Sequence, residues 1–285
     1  MIETPHLIAN DCVIDDGGDV VATVDALRPA PCLESAIPAI ATARSTRPII
    51  IRIGKALRGV FDLLIAPSSL VSDAPVLDVR AFPWTQTLRD NWQAIRDEAR
   101  QVAMAGDNAP SLATISPDHR SIAEVGKWKS FFLYGYGHAI EENIARCPAT
   151  AAALKAVPGL NSAVFSIIEP DTHIPDHRGV TKGLITCHLG LIVPRDGDVR
   201  MRLRDRVMRW AEGETLVFDD TYRHEIWNDS SSARVVLLVQ FARPLRAPGK
   251  FFADLFMRFV RRSAFVQEAR ANILRWNAAL RQSEG

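Results

Sequence analysis

The segment between residues 160 and 245 constrains the fold of this chain most strongly. Short apolar runs of strand length, among them AVFSII, LITCHLGLIV and RVVLLVQF, alternate there with polar segments such as EPDTH and PRDGD. The polar segments are rich in Pro, Asp and Gly, which are turn-forming residues. Strand-length runs at this spacing are typical of β-sheets that form a sandwich or a barrel. We therefore predict an all-β core for this part of the chain.

Helical patterns lie on both sides of the β region. Residues 49–65 place charged side chains three to four positions apart among apolar ones, which predicts an amphipathic helix. Residues 84–102 and 147–157 are also predicted to be helical, and residues 127–136 to form a strand. Residues 105–126 are predicted to form a long loop, of the kind that often serves function. The chain is thus expected to be mainly β with flanking helices.

The C-terminal residues 250–282 predict a further amphipathic helix with a basic polar face. Eight basic residues between positions 246 and 281 are accompanied by only two acidic ones, Asp254 and Glu268. The apolar side chains expected on one buried face are Phe252, Leu255, Phe256, Phe259 and Val260. A helix of this kind either packs against the β core or lies on an anionic membrane surface.

Composition and charge exclude several classes of protein. With a net charge of +1 over 285 residues, the chain has no basic field of the kind that attracts nucleic acid. Its longest apolar run, Val235 to Val239, is far shorter than the ~20 residues that a membrane-spanning helix needs. The N-terminus shows no signal-peptide pattern, and the four cysteines show no disulfide or zinc spacing. We expect a cytoplasmic protein with reduced thiols.

Four of the seven histidines lie in the β region: His173, His177, His188 and His224. A single histidine in a sheet is more often structural than a metal ligand. His177, however, lies in a turn after a predicted strand, and His224 lies where one strand ends and the next begins. Two neutral imidazoles brought together in this way suit Fe(II) and leave several coordination positions open.

Arg234 lies inside the very apolar strand RVVLLVQF. A buried guanidinium without a partner is costly, so this side chain needs an anion. A carboxylate that accepts two hydrogen bonds is the natural partner. If no carboxylate of the protein lies nearby, a carboxylate of a ligand fits.

These residues occur in segments that resemble the aspartyl/asparaginyl β-hydroxylase family, including its bacterial lipid A and ornithine-lipid hydroxylase branches. The similar segments are FSIIEPDTHIPDHRG, HLGLIVP, WAEGETLVFDDTYRHEIWND and RVVLLVQFARPL, preceded by FPWTQTLRDNWQAIRDEA and KWKSFFLYGYG. The resemblance covers about residues 80–245. It implies a double-stranded β-helix (jelly roll) that holds Fe(II) and uses 2-oxoglutarate and O2 as co-substrates. We therefore divide the chain into an N-terminal extension with an amphipathic helix (1–79), a hydroxylase domain (80–245) and a C-terminal basic amphipathic helix (246–285).

Within this resemblance, His177 and His224 match the two histidines that bind the iron. Many iron oxygenases add a carboxylate, which would stand two residues after His177, but that position is Gly179. A glycine also occurs there in the animal aspartyl/asparaginyl hydroxylases. The resemblance therefore implies a two-histidine site completed by water, with Asp176 or Asp219 as alternative third ligands.

Four further positions match residues that serve the co-substrate or support the iron ligands. Arg234 matches the arginine that pairs with the distal carboxylate of 2-oxoglutarate. Ser166 matches a serine on the wall of the co-substrate site, and His188 matches a histidine beside its metal-chelating end. Asp220 matches a carboxylate behind the iron ligands.

Two departures from the family pattern leave alternatives open. Thr186 stands where the family often has an arginine, and Lys182 or another basic residue could take over that role. Together with Gly179, Thr186 favours a cupin-like barrel that binds a metal or a small molecule without turnover. A cupin-type dioxygenase or isomerase without a co-substrate is a further alternative.

The first expectation for the substrate is the acyl chain of a lipid, as in the lipid-hydroxylase branches. The basic amphipathic segments at both ends agree with a peripheral contact with the inner membrane, although they also suit helices that simply pack on the core. The alternative substrates are an amino-acid residue, a free amino acid or a small natural-product intermediate.

Overall fold

The computed structural model describes residues 59–104, 108–116 and 119–284 of the chain. The helix predicted over residues 49–65 is therefore described only from residue 59 onward, where residues 59–65 are helical. Its first ten residues, and most of the predicted N-terminal extension, lie outside the described residues.

The described part of the chain contains eleven strands. The pattern of runs and turns in the sequence predicted six of the eight between residues 160 and 245, but not those over residues 172–177 and 206–208. The strands are β1 (Val76–Leu77), β2 (Trp128–Gly135), β3 (His138–Ala139), β4 (Leu160–Ile168), β5 (Thr172–His177), β6 (Leu184–Ile192), β7 (Asp198–Leu203), β8 (Arg206–Met208), β9 (Thr215–Phe218), β10 (His224–Asp229) and β11 (Arg234–Ala242).

The strands form two antiparallel sheets. The larger has the order β1-β9-β6-β11-β4-β2-β3, and the smaller has the order β5-β10-β7-β8. Between β4 and β7 the chain passes from one sheet to the other with each new strand, and it does so again between β9 and β11. This alternation is the topology of a double-stranded β-helix, so the predicted jelly-roll core is confirmed.

The central strands of the larger sheet are buried on both faces, which explains their nearly continuous apolar sequences. On β11, Val235, Leu237 and Val239 pack toward the helices, whereas Val236 belongs to the core between the two sheets. Successive side chains of a strand point to opposite faces, so a strand covered on both sides must be apolar at almost every position. The cavity described below lies between the sheets, on the Val236 side.

Seven helices with both ends in the described residues flank the sheets. They are α1 (Thr85–Asp90), α2 (Trp92–Ala103), α3 (Leu112–Ile115), α4 (Glu141–Ala145), α5 (Pro148–Leu154), α6 (Gly249–Arg262) and α7 (Ala264–Glu284). Nowhere in the described residues is a helix long and apolar enough to cross a membrane.

The helix predictions were right in position but wrong in two details. The helix expected over residues 84–102 is interrupted at Asn91, whose side-chain amide donates to the Thr87 carbonyl. The single C-terminal helix is two helices separated by Ser263, whose hydroxyl donates to the Val260 carbonyl. In both places a short polar side chain satisfies a carbonyl at a helix end, which favours a break.

The buried face predicted for the C-terminal helix is also partly wrong. Phe259 is 64% exposed, whereas Ala253, Phe256 and Met257 are buried. The buried side of α6 is set by what lies beneath it, since Phe256 packs on Phe61 of the preceding helical segment with a ring-centroid distance of 5.2 Å. The predicted face placed Phe259 on the buried side together with Phe256, and the packing does not.

Candidate active site

A cavity of about 190 Å³ lies between the two sheets. Side chains from strands of both sheets line it, together with side chains of α3 and α7. The cavity brings together all six residues that the sequence singled out: Ser166, His177, His188, Asp220, His224 and Arg234. Residues 105–126 were predicted to form a loop, but residues 112–115 of this segment form α3. Ile115 and His119 of the segment reach the cavity.

The two predicted metal ligands stand side by side on neighbouring strands. His177 ends β5 and His224 begins β10, and the two residues are paired in the register of the sheet. Their ring centroids are 4.1 Å apart. The Nδ1–H of His177 donates to the Pro175 carbonyl at 2.8 Å, and the Nδ1–H of His224 donates to the Tyr222 carbonyl at 2.9 Å. These bonds leave both Nε2 lone pairs available, which is the tautomer that binds a metal.

Both histidines are held in the neutral form. Burial, followed by the neighbouring imidazole of His224, lowers the pKa of His177 to about 4. Burial also lowers the pKa of His224. At neutral pH neither ring has to lose a proton before it binds a metal ion, so the pair is ready as a two-nitrogen ligand set.

In the described part of the chain, no group of three or more His, Cys, Asp or Glu side chains is arranged to hold a metal. Asp176 forms an ion pair with Arg223. Asp219 is completely buried and is engaged by Lys182 and Arg243. The structure therefore does not place either aspartate as the third ligand, contrary to that alternative expectation.

The position two residues after the first histidine is closed to a side chain. The Gly179 N–H donates to the Asp220 carbonyl at 2.6 Å, and a Cβ at Gly179 would lie 1.9 Å from Oδ1 of Asp220. The Asp220 carboxylate is held there by hydrogen bonds from Thr186 at 2.9 Å and Gln240 at 3.0 Å. Burial raises its pKa. Asp220 thus occupies the space that a residue 179 carboxylate would need.

This contact makes a first prediction. Replacing Gly179 by alanine should lower the free energy of unfolding by about 1–3 kcal/mol, because the new methyl group overlaps a fixed carboxylate. Urea denaturation measures the loss, and Gly59→Ala is the control, since a Cβ at Gly59 meets nothing within 4 Å. The double variant G179A/D220A should recover part of the loss. Additive losses in that double variant would contradict the clash.

Arg234, the first residue of β11, is 1% exposed. Its Nε and Nη1 atoms have no hydrogen-bond partner among the residues that the structure describes. Its guanidinium carbon lies 4.6 Å from the centroid of the Trp210 ring, and burial lowers its pKa to about 9, so it stays charged at neutral pH. A cation buried at the wall of a cavity with free donors is a site for an anion.

Two tryptophans orient the polar side chains around the cavity. The indole N–H of Trp210 donates to Nδ1 of His188 at 3.2 Å, which places the His188 proton on Nε2. The indole N–H of Trp128 donates to the Ser166 hydroxyl at 3.1 Å. Burial lowers the pKa of His188 well below its usual value, and the charge of Arg234 adds to this effect. His188 is therefore a neutral donor.

Sequence reasoning missed both tryptophans, and the role suggested for Lys182 was wrong. Thr186, which stands where the family often has an arginine, donates to the Asp220 carboxylate. Lys182 pairs with Asp73 at 2.6 Å and with Asp219 at 2.8 Å, and it does not line the cavity, so it does not take over the role expected of it. The partners of these side chains are dozens of residues away in sequence, and no local pattern pointed to them.

The cavity changes character along β11. Arg234 and Gln240 line it six residues apart on the same face of the strand, which corresponds to about 20 Å. Near the Gln240 end the wall includes an apolar cluster that joins α3 and α7 to the β region: Ile115, Phe132, Ile140, Ala269 and Ile273. The site therefore has a charged end and an apolar end, with the histidine pair on its wall.

Comparisons with known proteins identify the family of this chain. The sequence profile of the family described as "Aspartyl/Asparaginyl beta-hydroxylase" matches residues 89–244. The "Ornithine lipid ester-linked acyl 2-hydroxylase" of Rhizobium tropici is 40% identical over 207 residues, which cover 72% of this chain and 74% of the relative. The human "Aspartyl/asparaginyl beta-hydroxylase" is 33% identical over 186 residues, which cover 60% of this chain but only 24% of the relative.

Among solved structures, a Pseudomonas putida prolyl-4-hydroxylase is a distant neighbour. It is 18% identical in sequence, and the alignment covers 55% of this chain and 88% of the neighbour, with a TM-score of 0.35. The match of the family profile to more than half of the chain, and the 40% identity to the Rhizobium relative, carry the assignment. The resemblance seen in the motifs is thus confirmed, and the chain belongs to the aspartyl/asparaginyl β-hydroxylase family of hydroxylases.

Proposed function

We propose that this protein is an Fe(II)- and 2-oxoglutarate-dependent dioxygenase that hydroxylates an unactivated C–H bond, in the first place on the acyl chain of a lipid. The observation that carries the proposal is the buried Arg234 guanidinium, which has unused donors in the same cavity as two neutral imidazoles. A metal-binding barrel without a co-substrate would have no use for this cation, which is costly to bury.

The residues fit the groups that this function needs. Nε2 of His177 and Nε2 of His224 would hold Fe(II), for which imidazole is a suitable ligand. Arg234 would hold the distal carboxylate of 2-oxoglutarate. When bound, the iron with 2-oxoglutarate and O2 supplies the oxidising power for inserting one oxygen atom into a C–H bond, with succinate and CO2 as the other products.

The remaining polar residues of the cavity hold a proton at a defined atom or are themselves held in place by hydrogen bonds. His188 keeps its proton on Nε2, where it can donate to a co-substrate oxygen, because Trp210 occupies Nδ1. Asp220 stays beside the histidine pair because Thr186 and Gln240 hold its carboxylate. Buried apolar side chains of the cavity lining, such as Met201 and Phe218, exclude bulk water from the part of the cavity that they line.

The choice of an acyl chain rests on the apolar end of the cavity. Ile115, Ile140 and Ile273 offer contacts that suit methylene groups and leave the polar groups of an amino acid without partners there. The name of the Rhizobium relative also states an acyl group as its site of hydroxylation. The human relative favours the alternative, an aspartyl or asparaginyl residue.

The test is turnover by the purified protein with Fe(II), 2-oxoglutarate, O2 and bacterial lipid extract. We expect succinate to form, and lipid mass spectrometry to show products heavier by one oxygen atom with the addition on an acyl fragment. Reactions without 2-oxoglutarate and with a peptide instead of lipid are the controls. Succinate only with the peptide would favour the amino-acid alternative, and no succinate under any condition would favour a binding protein without turnover.

A further inference from the structure

The turn between β2 and β3 packs against the junction of α6 and α7. The Tyr136 ring meets the Phe265 ring edge-on, with centroids 5.7 Å apart. The guanidinium of Arg261 lies over Gly137, so closely that a Cβ there would be 2.9 Å from its Cζ atom. Arg270, five residues after Phe265 on α7, is itself part of the cavity lining. Two arginines of the C-terminal helices thus lie close to this turn, and Arg270 also lines the cavity.

No carboxylate among the described residues forms a salt bridge with Arg261 or Arg270. The Nε2 atom of His138, on the same turn, is buried and has no hydrogen-bond partner within the described ranges. Burial lowers the pKa of His138, and the charges of Arg270 and Arg261 lower it further. The region therefore carries two cations that form no salt bridge within the described residues, and a buried nitrogen that has no hydrogen-bond partner there.

These polar groups border the apolar end of the cavity. Ile140 follows His138 by two residues, and Ile273 follows Arg270 by one helical turn. Both isoleucines belong to the apolar cluster described above, and both line the cavity. A ligand lying here would meet the apolar side chains of Ile140 and Ile273 and, at the same end of the cavity, Arg270. Arg261 lies beside this end, over Gly137.

We propose that Arg270, Arg261 and His138 form a subsite for the acidic head group of an amphiphilic substrate, a carboxylate or a phosphate, whose alkyl chain extends past Ile140 and Ile273 toward the histidine pair. Guanidinium groups bind both anions through paired hydrogen bonds. This inference rests on the proposed function, since it names the class of substrate. Both arginines lie beyond residue 244, where the family profile ends, so they belong to a part of the chain that this match does not cover.

The test compares three ligands with the same ten-carbon chain: decanoate, decyl phosphate and the neutral decyl maltoside. Each is titrated below its critical micelle concentration into the full-length protein by calorimetry, without 2-oxoglutarate. We expect the anions to bind about tenfold more tightly than the maltoside, as loss of a hydrogen bond to a charged group predicts. The preference between decanoate and decyl phosphate tells which acidic group the subsite takes.

Arg270→Gln should reduce the binding of both anions to the level of the maltoside, and Arg261→Gln should do so in part. Arg275→Gln is the matched control, because Arg275 is an exposed arginine of the same helix that does not line the cavity. Equal binding of anionic and neutral ligands by the wild type, or equal effects of R270Q and R275Q, would overturn the subsite.

A second readout is the His138 imidazole, followed by NMR. Decanoate should raise the His138 pKa in the wild type, since a nearby negative charge favours the protonated ring, and should not raise it in R270Q. Because binding is measured without turnover, the two proposals fail separately. Anion binding without succinate formation would contradict only the proposed hydroxylase activity. Succinate formation without a preference for anionic ligands would contradict only the proposed subsite.

Discussion

Replacing His224 by alanine should abolish binding of a divalent metal, and with it all hydroxylation. His224 supplies one of the two imidazoles that stand side by side, and no further His, Cys, Asp or Glu of the described residues joins them to make a third ligand. Loss of a group that merely supports a metal ligand costs about 10- to 100-fold in affinity or activity, so loss of a ligand itself should cost more than ~100-fold. Calorimetric titration with Mn(II) or Co(II) measures the binding, and succinate formation measures the activity.

His173→Ala is the matched control for this experiment. His173 lies in the same strand as His177, but it is stacked on Trp227 and paired with Glu225 outside the cavity. We expect this variant to bind the metal as the wild type does. Full metal binding by H224A, with a circular dichroism spectrum like that of the wild type, would show that the metal is held elsewhere.

Arg234→Met should have opposite effects on stability and on function. In the absence of ligand, removal of a buried guanidinium with unused donors should raise the free energy of unfolding by about 1–3 kcal/mol. The same change removes the partner of the co-substrate carboxylate, so 2-oxoglutarate should no longer stabilise the protein or support turnover. Urea denaturation with and without 2-oxoglutarate measures both effects, because a ligand that binds only the folded state adds to stability.

A second buried arginine provides the comparison. Arg243 is 3% exposed, but it donates to the Lys182 carbonyl at 2.6 Å and is paired with the buried Asp219. Arg243→Met should therefore lower the free energy of unfolding by about 3 kcal/mol, since it leaves a carboxylate buried with fewer partners. An equal loss of stability in Arg234→Met and Arg243→Met would show that Arg234 has partners in the folded protein. It would then not be a free site for an anion.

The sequence predicted the features that depend on alternation and on motifs. Strand-length runs between turns predicted the β core, and residues such as Arg234, whose neighbours are apolar, were expected to be buried. His177 and His224 are 47 positions apart in the sequence, and their positions in the family motifs indicated that they act as a pair. The pairing of β5 with β10 then brings the two rings to 4.1 Å.

The features that the sequence did not predict depend on contacts between distant segments. Asp219 looked available as a metal ligand, yet it is completely buried in an ion pair with Arg243, 24 residues later. Phe259 looked buried because it continues an apolar pattern, yet it is 64% exposed. In α7, the spacing of Ala269 and Ile273 is the same whether a helix packs on a core or lines a cavity. Periodicity gives the face of a helix, but not what that face meets.

The contact between Gly179 and Asp220 has an evolutionary consequence. A descendant of this chain that acquired a carboxylate two residues after its first metal-binding histidine would have to change both positions, which are 41 residues apart. The order of the two steps matters. A side chain at position 179 that arises first collides with Asp220, whereas loss of the Asp220 carboxylate first only leaves Thr186 and Gln240 without their acceptor. A selective barrier therefore separates the two-histidine site from a site with a third protein ligand, and the path that avoids the collision begins at position 220.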